Sequence, residues 1–184
     1  LALGRDSRLW VGLNHGGIRL MRDGQVVASP EAAAFPADNS AVDLLVDRHD
    51  VLWAATPQGL WRLARGSAKQ VRSGDIRSLA LAGDVLWVRT RNDGLWKIVG
   101  DRISAHPDAP GCKGSWVATH QAGDLYTSCA QGIWRWDAAA LQWSRISDAI
   151  GVGPLHLDRD GAVWFGSREG LTRWHEGRTE VRRG

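Results

Sequence analysis

Five copies of one short segment account for nearly the whole chain, and this repeat restricts the possible folds more than any other feature. The best-preserved copy covers residues 158–170 and reads D-R-D-G-A-V-W-F-G-S-R-E-G. It contains a turn rich in Asp and Gly, an apolar run centred on Trp164, a polar break and the start of a second apolar run. That order is typical of a β-hairpin. The other copies cover residues 4–18, 47–60, 82–95 and 120–133.

An aromatic residue and a glycine recur in register in all five copies. The aromatic residues are Trp10, Trp53, Trp87, Tyr126 and Trp164, and the glycines are Gly17, Gly59, Gly94, Gly132 and Gly170. Successive aromatic residues are 43, 34, 39 and 38 positions apart. A period of about 40 residues that is built from strands is typical of a β-propeller, whose blades are four-stranded antiparallel sheets. We therefore predict an all-β propeller of about five blades, near residues 1–38, 42–74, 75–108, 115–148 and 153–184.

The five blades form either a closed five-bladed ring or an arc of a larger propeller, so residues 1–184 are a single propeller domain or a fragment of one. The first copy begins abruptly, which favours the arc. An arc leaves unpaired strand edges at both ends, which proteins normally cover. Between the first two copies, Pro30 and Pro36 bracket a short alanine run, and we expect a loop there.

The second strand of each copy is apolar at successive positions, as in V-L-W-A-A at residues 51–55. Strands that are buried on both faces have this composition. The sequence contains eleven Trp but only two Phe and one Tyr. Because the repeated aromatic residues lie in the middle of a strand, we expect them in the core; the alternative is a platform on which sugar rings stack.

Cations flank tryptophans in the third strand of four copies. The cations are Arg62, Lys97, Arg135 and Arg173, and the tryptophans that belong with them are Trp61, Trp96 and Trp134. Such cations either bind an anionic ligand or stack on indole rings between blades, and the repeated pairing favours stacking.

The connections between strands fall into two classes that open on opposite faces of the predicted propeller. Those after the first and third strands are short and rich in Asp and Gly, which suits tight hairpins. Those after the second and fourth strands are longer and differ between copies, and irregular loops on a regular scaffold commonly carry binding residues. We expect a ligand on this variable face. The candidate ligand-binding residues are Asn14, His15, Gln58, Arg89, Arg91, Asn92, Arg168 and Glu169, together with His156 from an innermost strand next to the central channel.

Cys112 and Cys129 are the only cysteines. Cys112 precedes the first strand of the fourth copy and Cys129 ends its second strand. Because these strands are hydrogen-bonded neighbours, the two side chains could come within disulfide range. A disulfide would indicate an oxidising compartment such as the periplasm. The alternative is two unrelated small buried residues.

Several function classes find little support in the sequence. The formal net charge is +3, but acidic residues are interspersed among the basic ones, so we expect no nucleic-acid partner. No stretch of about 18 apolar residues occurs, so we expect no membrane insertion of this segment. The histidines lack metal-ligand spacing, and Asp158-x-Asp160-Gly161 begins like a calcium loop without its remaining ligands. We expect no metal, no cofactor and no catalytic residues, since no catalytic triad or phosphate-binding loop can be placed.

The repeat resembles that of the two-component regulator propeller family, whose motif is close to D-x-x-G-x-L-W-x-G-T-x-x-G-L. The fifth copy matches this motif almost throughout, at Asp158, Gly161, Trp164, Gly166, Ser167, Gly170 and Leu171. The second copy has Asp50 and Ala55 in place of two glycines. The fourth has His120 in place of the aspartate and Tyr126 in place of the tryptophan.

This resemblance implies the periplasmic sensory region of a bacterial membrane receptor, coupled in full-length relatives to a histidine kinase or a diguanylate cyclase. Propellers of that family typically close with seven blades. We therefore expect a non-catalytic, extracytoplasmic module that senses a small molecule or an oligosaccharide, in a receptor that forms a homodimer. The alternative is a lectin-like carbohydrate-binding propeller. A propeller lyase or glycosidase ranks third, because it would need paired carboxylates or a His/Tyr pair across the channel.

Overall fold

The computed structural model describes residues 1–4, 7–112, 114–120, 124–149 and 153–182. Residues 5, 6 and 121–123, which belong to the first and fourth copies of the repeat, lie outside the described residues. Within the described residues the chain forms five antiparallel sheets of four strands, and in each sheet the strands lie side by side in chain order. This is the arrangement of a propeller blade. The predicted β-propeller fold is confirmed.

The chain divides into two compact units, residues 1–79 and residues 80–184. The first unit contains the first two sheets and one short helix. Its elements are β1 (Ala2–Leu3), β2 (Leu9–Gly12), β3 (Ile18–Arg22), β4 (Gln25–Val27), α1 (Pro30–Ala34), β5 (Asp43–Val46), β6 (Leu52–Thr56), β7 (Gly59–Ala64) and β8 (Ser67–Ser73).

The third sheet begins at the boundary between the units, because β9 (Ile76–Ala82) spans it. The rest of the third sheet and the last two sheets belong to the second unit. Their strands are β10 (Val85–Thr90), β11 (Leu95–Val99), β12 (Arg102–His106), β13 (Gly114–Thr119), β14 (Leu125–Cys129), β15 (Gly132–Asp137), β16 (Gln142–Ser147), β17 (His156–Leu157), β18 (Val163–Ser167), β19 (Gly170–His175) and β20 (Arg178–Arg182).

The alanine run after the first sheet forms the helix α1, so the expectation of a loop is wrong there. Ser29 caps the helix, because its hydroxyl oxygen accepts a 3.3 Å hydrogen bond from the amide of Ala32. Pro30 occupies the first turn, where its missing N–H costs nothing. The carboxylate of Glu31 then accepts a 2.8 Å hydrogen bond from the amide of Gly66, which fixes the helix to the turn between β7 and β8.

Neighbouring sheets pack face to face within each unit. In the first unit, Trp10 and Ile18 of the first sheet share a hydrophobic cluster with Leu52 and Leu63 of the second. In the second unit, Leu95 of the third sheet shares a cluster with Leu125 of the fourth, and Tyr126 of the fourth shares one with Val163 of the fifth. Apolar residues on both faces of a blade are therefore buried, as stacked sheets require.

Trp10, Trp87 and Tyr126 lie at these contacts between sheets. Trp10, Trp53 and Tyr126 are 4%, 7% and 3% exposed, whereas Trp87 and Trp164 are half-buried. On Trp164 the guanidinium carbons of Arg173 and Arg182 lie 5.9 and 5.7 Å from the ring centroid. At this blade the cation of the third strand stacks on the indole, which is the arrangement favoured over anion binding.

The repeated glycine lets the fourth strand of a blade pass close to the start of the third. At Gly132 a Cβ atom would collide with the carbonyl oxygen of Ser147, and at Gly59 with that of Arg72. Gly132 also has a φ of +120°, which side chains rarely tolerate. In both blades the pairing of the third and fourth strands shifts register just after this glycine.

Candidate functional site

The connection between the second and third strands of a blade is held by a hydroxyl group at its start. In the fifth blade, the Ser167 hydroxyl donates a 3.2 Å hydrogen bond to the carbonyl of Gly170 and accepts one of 3.2 Å from the amide of Glu169. Thr56 makes the same pair of contacts in the second blade, and Thr90 does so in the third. The hydroxyl thus closes the loop on itself.

Each closed loop projects its middle residues into solvent. Gln58, Arg91, Asn92, Arg168 and Glu169, which the sequence analysis proposed as ligand-binding residues, are all exposed. The sequence analysis missed the hydroxyl groups that hold these loops. The signal was present, because the Thr of the family motif falls at Thr56 and its equivalent at Ser167.

The first blade lacks a hydroxyl at this position and uses a residue from the following connection instead. The Ser40 hydroxyl donates a 3.0 Å hydrogen bond to Oδ1 of Asn14 and accepts one of 3.0 Å from the amide of His15. Both Asn14 and His15 are exposed. They therefore lie on the variable face of the first unit. Ser40, which lies outside their loop, holds that loop in place.

In the fourth blade the equivalent position is Cys129, which forms a disulfide with Cys112. Their Cα atoms are 5.5 Å apart, and both residues are 5% exposed. Of the two alternatives that the sequence left open, the structure has the bridge. The disulfide fixes the segment before β13 onto the end of β14.

Arg89 is a correction to the predicted binding residues, because its side chain is completely buried. Its guanidinium forms an ion pair with Asp108 and donates a 2.8 Å hydrogen bond to the carbonyl of Cys112. Asp108 in turn accepts a 3.0 Å hydrogen bond from the amide of Ala109. Arg89 therefore anchors residues 108–112 through these two contacts, and it is not available to a ligand at the surface.

A cleft on the variable face of the second unit lies between the fourth and fifth blades and has a volume of about 410 Å³. The connection between β18 and β19, with Arg168 and Glu169, forms one wall. Residues 147–149, which leave β16, form the other wall, and Thr172, Thr179 and Val181 line the side of the fifth blade. Arg168 and Glu169 are the two predicted binding residues among the residues that line this concave site.

The cleft combines charges of both signs with hydroxyl groups. Arg168 supplies a planar set of donors, while Glu169 and Asp148 supply carboxylate acceptors. The hydroxyl groups of Ser147 and Ser167 lie beside them. Such a site suits a small, neutral or zwitterionic ligand that carries hydroxyl, amide or carboxyl groups, because the lining supplies both hydrogen-bond donors and acceptors.

His156 lies on the other face of the fifth blade. It pairs with Trp164 across β17 and β18, and directly paired residues of antiparallel strands share a face. Thr172 of the cleft pairs instead with Phe165, so it belongs to the opposite face of the sheet. The structure therefore does not bring the exposed His156 together with the cleft residues.

A histidine that the sequence analysis left without a role lies among three tryptophans. The centroid of the His106 ring lies 4.9 Å from Trp87, 4.5 Å from Trp136 and 6.2 Å from Trp143, in edge-to-face arrangements. Burial lowers the pKa of His106, and the nearby Lys97 acts in the same direction. The tryptophans belong to different strands of two blades, and the sequence alone does not show that they meet.

Asp43, an acidic residue of an innermost strand, also has a shifted pKa. Burial raises the pKa of Asp43, against the effect of the hydrogen bonds it accepts. These come from the amides of Leu79 and Leu44 at 2.8 and 2.9 Å, and from the Ser78 side chain. Because the backbone and Ser78 occupy both carboxylate oxygens, Asp43 joins β5 to β9 and has a structural role.

Among the described residues, no cluster of three or more His, Cys, Asp or Glu side chains has the arrangement of a metal site. In the same part of the chain, no helix has the length and hydropathy that crossing a bilayer requires.

No protein-family model matches the chain, and no curated protein matches it in sequence. Solved structures do resemble it. One is the extracellular domain of the putative hybrid two-component system BT3049 from B. thetaiotaomicron, with a TM-score of 0.79 and 18% identity over 98% of this chain and 27% of that chain. The corresponding domain of BT4673 from the same organism gives 0.78 and 17% over 97% and 26%.

An enzyme is also similar in fold. Virginiamycin B lyase from Staphylococcus aureus gives a TM-score of 0.74 and 12% identity over 97% of this chain and 67% of that chain. These low identities establish a shared β-propeller fold and nothing finer. The chain spans about a quarter of the length of the two B. thetaiotaomicron domains.

Proposed function

We propose that this chain is an extracytoplasmic, non-catalytic sensing propeller of a bacterial signalling receptor, and that its ligand binds in the cleft between the fourth and fifth blades. The observation that carries the proposal is the cleft itself. Its volume of about 410 Å³ lies in the range of small-molecule sites, which is roughly 300 to 1,000 Å³. It is formed by the connections that vary from blade to blade.

The fold comparisons support a sensing role over an enzymatic one. The two receptor domains are extracellular parts of two-component systems by their names, and they have higher TM-scores and identities than the lyase. The Cys112–Cys129 disulfide supports an oxidising compartment such as the periplasm. Ligand binding would act by favouring one arrangement of the propeller in the receptor over another.

The ligand is a small polar molecule or an oligosaccharide, because the cleft supplies both hydrogen-bond donors and acceptors. The lectin alternative in its simplest form uses the repeated indoles as a platform. Trp10 and Trp53 are buried, so a sugar could not reach their ring faces in the folded protein. Sugar binding in the cleft would instead depend on Arg168 and Glu169.

Titration calorimetry of the chain against a panel of mono- and oligosaccharides, amino acids and small carboxylates tests the proposal. For any compound that binds, the variants Arg168→Ala and Glu169→Ala should each weaken the affinity about tenfold or more, because each removes a charged hydrogen-bonding partner. Arg145→Ala is the matched control, since Arg145 is an exposed arginine of the same unit outside the cleft. Equal weakening by Arg145→Ala, or unchanged affinity in both cleft variants, would place the ligand elsewhere.

A second experiment tests the cellular compartment in which this segment lies. Alkaline phosphatase, which is active only outside the cytoplasm, is fused behind this segment in its parent protein. We expect an active fusion. An inactive fusion, with Cys112 and Cys129 both reduced in cells, contradicts the extracytoplasmic assignment.

A further inference from the structure

A second concave site lies on the third blade and has a volume of about 490 Å³. The described residues that line it are Lys97, Val99, Arg102, Ser104 and Ala105. They belong to β11 and β12, the two outer strands of the blade, so the site lies within the second unit. We refer to it as the basic cavity.

The basic cavity opens on the side of the third blade that packs against the fourth. Lys97 and Val99 lie on the same face of β11 as Leu95, because side chains alternate along a strand. Leu95 shares a hydrophobic cluster with Val117 and Leu125 of the fourth blade. The cavity therefore lies beside a contact between two neighbouring blades of one unit.

The register of the blade brings the two cations of the cavity next to each other. Lys97 pairs with Ser104, and Val99 pairs with Arg102. Directly paired residues share a face, and Lys97 and Arg102 are diagonal neighbours, which lie about 7 to 8 Å apart and within reach of long side chains. An ammonium and a guanidinium can therefore contact one bound group, and Ser104 adds a hydroxyl donor beside them.

The protein does not neutralise either cation. Within the described ranges of the chain, no carboxylate forms an ion pair with Lys97 or Arg102. Arg102 is exposed, but Lys97 is half-buried. A charge that has lost part of its hydration is costly unless a partner compensates it. Lys97 thus has an unmet need for an acceptor at the wall of the cavity.

The equivalent cation of the fourth blade has a partner of its own. Arg135 forms an ion pair with Asp124 at 3.0 Å. In the third blade Lys97 is directly paired with Trp87, but the ring of Trp87 meets the edge of His106 at 4.9 Å between centroids. The charge of Lys97 is therefore left to the cavity that it lines.

We propose that the basic cavity binds a small anionic molecule through a phosphate or carboxylate group that Lys97 and Arg102 hold together. Charge complementarity carries the proposal, because the described lining contains two cations, a hydroxyl group and no acidic residue. Val99, which is 46% exposed, offers apolar surface to the rest of the molecule. The cleft between the fourth and fifth blades has charges of both signs, so this second site does not rest on the proposed sensing function.

Titration calorimetry in a phosphate-free buffer at constant ionic strength tests the proposal, with inorganic phosphate and succinate as separate probes. At least one probe should bind in a one-to-one ratio with a dissociation constant of about 1 mM or lower, and the tighter one identifies the group that the cavity prefers. Lys97→Met and Arg102→Gln should each weaken its binding about tenfold, because each removes a charged hydrogen-bond donor. Both changes remove charge and keep most of the side chain, so folding should be preserved.

Arg178→Gln is the matched control. Arg178 is an exposed arginine that opens the fourth strand of the fifth blade, as Arg102 opens that of the third, and it lines neither cavity. Its affinity for the probe should be unchanged. Equal weakening in Arg178→Gln would mean non-specific attraction to a protein of net charge +3 and overturns the proposal. Failure of both probes to bind at millimolar concentrations, or unchanged affinity in either cavity variant, also overturns it.

The pKa of His106 places the bound group by an independent measurement. Burial lowers this pKa, and the charge of Lys97 acts in the same direction. His106 pairs with Leu95 and is a diagonal neighbour of Lys97 on the same face, so an anion at Lys97 opposes that effect. A saturating amount of the probe that binds should raise the pKa of His106, measured by NMR, and the rise should vanish in Lys97→Met. Binding that leaves this pKa unchanged would put the anion elsewhere and overturns the assignment.

Discussion

The indole nitrogen of Trp164 donates a 2.8 Å hydrogen bond to the carboxylate of Asp158, six residues earlier. The second blade repeats this contact between Trp53 and Asp47 at 2.9 Å. In both blades the other carboxylate oxygen accepts two backbone amides of the turn. The repeated aspartate thus fixes the turn and the indole together. Both oxygens of Asp158 are therefore used within the turn, although Asp158-x-Asp160 begins like a calcium loop in the sequence.

We expect this contact to make the stability of the folded protein depend on pH in the acidic range. The hydrogen bond from Trp164, followed by those from the turn amides, holds the pKa of Asp158 below its ordinary value of 3.8. The ionised carboxylate of Asp158 therefore contributes to the stability of the fold above about pH 3.8. This contribution is lost as the pH falls through the lower pKa that Asp158 has in the folded protein. The variant Asp158→Asn should flatten the fall in the urea midpoint on acidification. Asp160→Asn is the control, because its side chain makes none of these contacts, and an identical flattening there would contradict the assignment.

Arg89 gives a second prediction, because it is a charge buried against one partner. The variant Arg89→Met keeps most of the volume but leaves Asp108 and the carbonyl of Cys112 without their donor. The free energy of unfolding should fall by about 1 to 3 kcal/mol, because the buried Cys112 carbonyl loses its donor while Asp108, which is 31% exposed, stays partly hydrated. Chemical denaturation measures this change. Arg91→Met is a control on the exposed part of the same blade, and a comparable loss there would show that the buried pair is not the cause.

The position of Arg89 shows where the sequence was informative and where it was not. The aromatic and glycine positions could be predicted because they recur and because both have a packing reason. Arg89 stands two residues after the repeated aromatic residue, where the other blades have Gly12, Ala55, Ser128 and Gly166. Its partner Asp108 lies in the connection after β12, outside the repeated segment. That partnership joins residues 19 positions apart without a repeat, so the sequence pattern did not reveal it.

The cleft was partly predictable for a related reason. Arg168 and Glu169 could be proposed from the sequence because they interrupt a regular hairpin, and irregular residues on a regular scaffold are exposed. The opposite wall, at residues 147–149, could not be assigned, because it depends on how β16 leaves the fourth blade after the register shift beside Ile133. His156 was grouped with these residues from its strand, but the alternation of side chains placed it on the other face.

Reduction of the Cys112–Cys129 disulfide should destabilise the fourth blade. The bridge closes a loop across a sequence separation of 17 residues, and a loop of this size contributes about 3 kcal/mol by restricting the unfolded chain. Urea denaturation with and without dithiothreitol should show a fall of that order. The double variant Cys112→Ser with Cys129→Ser should start from the lower stability and not respond to the reductant. A response of the double variant would mean that the reductant acts elsewhere.

His106 gives a prediction near neutral pH with a clear sign. Burial among Trp87, Trp136 and Trp143 lowers its pKa below the ordinary value of 6.5, and Lys97 acts in the same direction, while the hydrogen bond with the Pro107 carbonyl and the charge of Asp108 oppose this. Between the two pKa values the unfolded chain binds more protons than the folded protein, so stability is fully present above about pH 6.5 and falls as the pH drops below it. The urea midpoint, measured from about pH 7.5 to 5, should decrease over this window, and the decrease should shrink in His106→Gln.

The control for this prediction is His156→Gln, which removes an exposed histidine of the same unit. Its urea midpoint should follow the same pH profile as that of the unchanged protein, because His156 lies outside the cluster of three indoles around His106. The tryptophans offer a second readout, since protonation of His106 at their edges should change their fluorescence in the folded protein over the same pH range. A fluorescence change that survives in His106→Gln, or a midpoint profile unaltered by that substitution, would show that the ring among the three indoles is not the titrating group.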